Sequence, residues 1–113
     1  MSECIFCRIA QGAAPASVVY QDEEITAFRD IHPQAPVHIL IIPNRHITNV
    51  SCVEPGDISV LGKMFLVARQ LAAQENIADG YRMVINSGPV AGQSVYHLHM
   101  HLLGGRRMGW PPG

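Results

Sequence analysis

Hydrophobic and polar positions divide the chain into short elements of different period. Cys4 to Ala10 is apolar enough for one short helical turn, which Gly12 can close and Pro15 keeps from continuing. Ser17–Tyr20 and Ile25–Phe28 are apolar runs on either side of the polar stretch Gln21–Glu24, the pattern of a hairpin. Pro33 and Pro36 hold the next stretch extended. Val37-His38-Ile39-Leu40-Ile41-Ile42 then reads as a central strand buried on both faces and stopped by Pro43. From Asp57, a candidate N-cap, apolar residues recur at Ile58, Leu61, Phe65, Ala68 and Ala72, which predicts one long amphipathic helix to about Glu75. Tyr81–Asn86 and Val95–Leu103 are two more strands, joined by a loop short enough for an antiparallel pair. The expected fold is α+β, an antiparallel sheet of about five strands with one long helix and a short N-terminal helix. Residues 1–113 form one domain in this reading.

Composition narrows the function classes. A formal charge of −1, from eight Lys and Arg against nine Asp and Glu, gives no broad attraction to a polyanion, so no nucleic-acid partner is expected. No apolar run, Ile39 to Ile42 included, approaches a membrane span, and no basic and apolar leader pattern opens the chain. A cytoplasmic location follows as the expectation. Cys4, Cys7 and Cys52 cannot all pair within one chain, and a reducing compartment favours metal binding or simple burial over disulfides.

The chemistry concentrates in the last predicted strand, at His97, His99 and His101. Side chains in a strand change face at every residue, so Leu98, Met100 and Leu102 can enter the core while the three imidazoles line the opposite face. Such a face can bind a catalytic zinc, or one ring can attack phosphorus while its neighbours fix its tautomer and move protons. No Asp or Glu follows His101 to complete a catalytic metal site, which favours direct nucleophilic catalysis without a cofactor for the chemistry.

His97-Leu98-His99-Met100-His101-Leu102-Leu103 resembles the motif that names the histidine triad superfamily. Gly92-Gln93-Ser94-Val95-Tyr96 before it, and Gly104-Gly105-Arg106 with Trp110-Pro111-Pro112-Gly113 after it, are similar to the nucleotide-binding branch, as are Phe28-Arg29-Asp30-Ile31 and Pro33-Gln34-Ala35-Pro36-Val37-His38. The resemblance covers nearly the whole chain. It implies a hydrolase that cleaves purine nucleoside 5′-phosphoramidates, with His99 as nucleophile and a covalent adenylyl-histidine intermediate. An amine leaves poorly as an anion, so a general acid is needed, for which Ser94 and His101 are candidates. The resemblance also implies that Asp30 accepts the ribose hydroxyls, that Ile31 lies beside the base, and that Asn86 contacts the nucleotide. Phe6 and Ile25 are weaker pocket candidates. Gly92 and the residues after it can turn backbone N–H groups toward phosphoryl oxygens. The alternatives are a diadenosine polyphosphate hydrolase and a nucleotide-binding regulator whose hydrolysis is incidental.

Two further expectations rest on the same resemblance. The Pro- and Gly-rich tail places Trp110 at the partner's active site in a homodimer, where it would tune substrate choice; the alternative is packing on its own subunit. Cys4, Cys7, His46 and His97 form a structural zinc site, since Cys-x-x-Cys plus two histidines offers a complete tetrahedral set. Two semi-buried thiols on a short helix are the alternative. With zinc bound, His97 would not act as an acid or base.

Overall fold

The computed structural model describes residues 3–113. Helix α1 spans Ile5–Ala10, strands β1 and β2 span Val18–Gln21 and Ile25–Arg29, and β3 spans Val37–Pro43. Helix α2 follows over Ile58–Gln74, then β4 over Tyr81–Val84 and β5 over Met100–Gly104. The five strands form one antiparallel sheet in the order β1-β2-β3-β5-β4, so β3 is central as its unbroken apolar run requires. The β1–β2 hairpin is closed by Asp22, whose Oδ1 accepts the N–H groups of Glu24 and Ile25, both at 2.8 Å. Among the described residues no helix is long and apolar enough to cross a membrane.

Each face of the sheet has its own core. Ile39 and Ile41 of β3 pack with Leu98, Met100 and Leu102 against Met64, Val67, Ala68 and Leu71 of α2. Leu40 and Ile42 point the other way, where α1 lays Phe6 and Ile9 on Phe28. A period of two along β3 therefore feeds two layers, and the α1 layer is the thinner one. The functional face is this second one.

Three expectations need correction. The buried stripe of α2 is Met64, Val67, Ala68, Leu71 and Ala72, whereas Ile58 and Phe65 are exposed. The helix is apolar around much of its girth, so three- and four-residue spacing allows more than one stripe, and packing on the sheet selects between them. Asp57 stands at the N-cap position without capping α2. Its carboxylate instead accepts the Glu54 N–H at 2.9 Å and meets Arg45, which leaves it buried but paired. Finally, the ladder does not begin at Val95 but at Met100. The β3–β5 register ends at Ile41 opposite Met100, close to Pro43, which has no N–H to offer. Leu98 N–H turns to the Ile47 carbonyl at 2.6 Å instead.

Gly104 closes β5 where a side chain would not fit, because a Cβ there would lie 2.5 Å from Ile77 Cδ1 and 3.0 Å from Ile77 Cβ. Ile77 is itself buried in the α2 core, so it has little room to give. Gly104→Ala is expected to lower the free energy of unfolding by about 1–3 kcal/mol through overpacking, measured by urea denaturation; an unchanged midpoint would show that Ile77 relaxes freely.

Candidate active site

The alternation expected of the histidine segment survives outside the ladder. Leu98, Met100 and Leu102 are buried in the α2 core, while His97 and His99 both set their rings edge-on to Phe6 of α1, at 6.0 and 5.1 Å between centroids. His101 continues the row 5.1 Å from His99. His99 and His101 open into a cavity of about 440 Å³ whose wall includes Phe6, Phe28, Asp30, Ile31 and Ser94. Apolar walls with a few convergent polar groups are what a small-molecule site needs. Asn86 and Gly92 lie outside this lining, and Ile25 belongs to the α2 core on the other face.

His99 holds its ring by one bond, Nδ1 to the His97 carbonyl at 2.7 Å. A carbonyl only accepts, so Nδ1 carries the proton and the neutral ring keeps its lone pair on Nε2. A different chain fixes His101. The Gln34 N–H donates to His38 Nδ1 at 3.0 Å, which leaves the His38 proton on Nε2. That proton points to His101 Nδ1 at 2.9 Å, with Asp30 Oδ2 3.4 Å away, so His101 accepts at Nδ1 and carries its own proton on Nε2. The result is one imidazole set to attack beside another set to donate.

His38 was missed by sequence reasoning that concentrated on the triad. The signal was parity: His38 shares the face of Leu40 and Ile42 in β3, and β3 pairs with β5. Asp30 fills two roles at once, since Oδ1 caps the turn at the His32 N–H at 2.8 Å while Oδ2 faces His38. The turn-former and the site residue are the same group.

Burial, followed by neighbouring His99 and His38, brings the His101 ring down to about 4, so it is neutral at pH 7. Burial also lowers His38, against the opposing pull of Asp30. Arg29 borders the cavity, but its guanidinium is bidentate on Glu75 at 2.8 and 3.0 Å. No cation is therefore poised over the histidines by this route. Of the loop amides, Gly92 N–H goes to the Pro89 carbonyl at 3.0 Å and Gln93 N–H to the Gly88 carbonyl at 3.2 Å, so the tight turn uses these two. Gln93, buried, ties that turn down by donating from Nε2 to the carbonyls of Thr48 at 2.7 Å and Val95 at 3.1 Å, which places Ser94 at the cavity.

Behind the triad, Cys4, Cys7, His46 and His97 converge with all ligand atoms within 4.8 Å of one another. The separations from sulfur to Nδ1 are 3.4 Å for Cys4 to His97, 3.4 Å for Cys7 to His46 and 3.5 Å for Cys7 to His97. Zinc bonds of about 2.3 Å to sulfur and 2.0–2.1 Å to nitrogen give a tetrahedral edge of about 3.5 Å. The donor set thus fits zinc in type and in spacing. His97 Nε2 donates to the Pro43 carbonyl at 2.8 Å, which turns the Nδ1 lone pair to the sulfurs, an outer bond of the kind that orients a ligating imidazole.

The model of the HIT domain family matches residues 11–108. Two relatives align over 114 residues and 99% of this chain: the 14 kDa zinc-binding protein of Zea mays, 54% identical with 89% of its own length covered, and adenylylsulfatase HINT1 of Arabidopsis thaliana, 49% identical with 78% covered. Among solved structures, a HIT family hydrolase from Legionella pneumophila superposes with a TM-score of 0.96 at 52% identity, covering 98% of this chain and 100% of the other. A zinc-bound histidine triad family protein from Mycobacterium smegmatis gives a TM-score of 0.81 at 35% identity, with 98% and 80% covered. With the triad on its own face of the sheet, the five-stranded α+β architecture and these matches, the chain belongs to the HIT domain family, in its histidine triad nucleotide-binding branch.

Proposed function

We propose that this protein hydrolyses purine nucleoside 5′-phosphoramidates, with His99 as the attacking group. The observation that carries the reading is the His99 Nδ1 bond to the His97 carbonyl, which leaves the Nε2 lone pair as the reactive end of a ring at the cavity. Nε2 attacks the α-phosphorus, the P–N bond breaks toward nitrogen, and the departing amine takes a proton from Ser94 or from His101 Nε2–H. Water then attacks the phosphorus of the adenylyl-imidazole and gives its proton back to the group that protonated the amine, the P–Nε2 bond returns its electrons to the ring, and the nucleoside monophosphate leaves. Asp30 is the acceptor for the ribose hydroxyls in this pose, with Ile31 beside the base. The name of the Arabidopsis relative supports hydrolysis at an adenylyl group, and that of the Legionella protein supports hydrolysis.

Zinc at Cys4, Cys7, His46 and His97 completes the reading, and its role is structural. Four protein ligands leave no open position, and the site ties α1 to the segment that carries the nucleophile. The zinc-binding name of the maize relative and the zinc-bound mycobacterial neighbour support it. A homodimer is supported by apolar surface without a cover: Met83 in the edge strand β4 and Ile85 just past its end, Phe65 and Leu66 on the outer side of α2, and Trp110 at 83% exposure. Arg82 Nη2 holds the tail against β4 through the Gly109 carbonyl at 2.7 Å, so Trp110 starts from the sheet edge that a second copy would meet. From there it can reach the partner's site.

His99→Ala is expected to abolish turnover of adenosine 5′-phosphoramidate while AMP binding persists, and rapid quench of the wild type should trap an adenylyl adduct on His99. Substantial activity in the variant would remove His99 from the nucleophile's role. Ser94→Ala should lose at least about tenfold more on the phosphoramidate than on adenylyl sulfate, whose anionic leaving group needs no proton; equal losses would show that Ser94 is not the acid. Metal analysis of protein purified without chelator should give one zinc per chain, lost with joint replacement of Cys4 and Cys7, and near-zero zinc in a fully active enzyme would rule out the site.

A further inference from the structure

A second groove, of about 450 Å³, adjoins the cavity that holds the triad. Ile5, Ser94 and Val95 line both, so Ser94 stands at the junction. The new walls are Glu3, Thr48 and Tyr96, with the proposed zinc ligands Cys4 and His46 beside them, and none of these borders the first cavity. We propose that this groove is the subsite for the amine leaving group, and that it favours primary amines carrying an apolar chain that ends in a second positive charge. The inference rests on the phosphoramidase reading above.

The first argument is placement. If Ser94 protonates the departing nitrogen, that nitrogen lies within hydrogen-bond reach of a residue that lines the groove, and whatever the nitrogen carries has the groove beside it. The nucleoside meanwhile occupies the other side, against Asp30 and Ile31. The second argument is surface chemistry. Ile5 and Tyr96 are exposed at 42% and 55%, and Val95 is half-buried, so the groove presents apolar surface that a chain can cover. Each fully buried methylene strengthens binding by about fourfold. The third is charge. Glu3 supplies the groove's carboxylate, and no Lys or Arg lines it. An exposed pair of this kind adds about two- to fivefold, enough to rank two amines of equal length without fixing either tightly.

The test uses three substrates: adenosine 5′-phosphoramidate, its N-hexyl derivative and its N-(6-aminohexyl) derivative. Tyr96→Ala is expected to lower kcat/KM on both alkylated substrates by about tenfold, as apolar contact is lost, with the unsubstituted one unchanged and Tyr96→Phe behaving as wild type. Glu3→Gln should lower the aminohexyl substrate by about two- to fivefold and leave the hexyl one alone. Zinc content is measured on every variant, and unchanged content separates a groove effect from a lost metal site. Equal losses on all three substrates would overturn the proposal. So would discrimination that survives Tyr96→Ala and Glu3→Gln but disappears in Trp110→Ala, because the tail would then be reading the amine. The same compounds titrated calorimetrically into His99→Asn report the groove without turnover. Graded affinity there, with no hydrolysis by the wild type, would sink the phosphoramidase reading and keep the subsite; flat affinity beside normal hydrolysis would do the reverse.

Discussion

The bond from His99 Nδ1–H to the carbonyl of His97 is the constraint on which the rest of the site depends. It is local, two residues apart and 2.7 Å long, yet its geometry is set from outside the segment. The carbonyl can face His99 only while His97 keeps its place. That residue is held by a ring bond to Pro43 at the end of the central strand and by the sulfurs of Cys4 and Cys7 at the start of α1. One backbone unit therefore joins the sheet, the N-terminal helix and the ring of His99. Phe6, set edge-on against both rings, fills the space between them and leaves little freedom for the imidazole to turn.

The legible part of the structure was the part governed by period two. His97, His99 and His101 announce a face because Leu98, Met100 and Leu102 announce the opposite one, and that assignment holds although regular pairing begins only at Met100. Contacts preserve the alternation although His97 lies in a bend before the ladder starts, with Leu98 in the α2 core and the rings of His97 and His99 on Phe6, so shortening the strand did no harm to the inference. The α2 stripe failed for the converse reason. With Ile58, Phe65 and Leu66 exposed beside a buried Met64, the helix carries more apolar residues than one face can bury, and period alone could not choose.

His38 and Gln93 show what a motif reading leaves out. Neither attacks nor donates to a substrate in the proposed reaction, and each looks ordinary along the chain, one inside an apolar strand and the other in a Gly-rich loop. Their work appears only when distant segments meet: His38 passes the constraint of the Gln34 N–H to His101 across the β3–β5 pair, and Gln93 fixes the loop that presents Ser94. Asp57 illustrates the same limit with a structural residue, since its N-cap position was readable but its choice of Glu54 and Arg45 was not.

The electrostatic character of the site follows from these orientations. His101 is neutral at pH 7 because burial disfavours its charged form, and Arg29, the nearest guanidinium on the wall, is committed to Glu75. In the proposed reaction, an anionic phosphoryl group entering this cavity would meet N–H and O–H donors in place of full positive charge. Such donors stabilise charge that develops on oxygen during attack without protonating the nucleophile beside them. In the proposed reaction, neutral imidazoles with assigned tautomers leave the lone pair of His99 free for phosphorus.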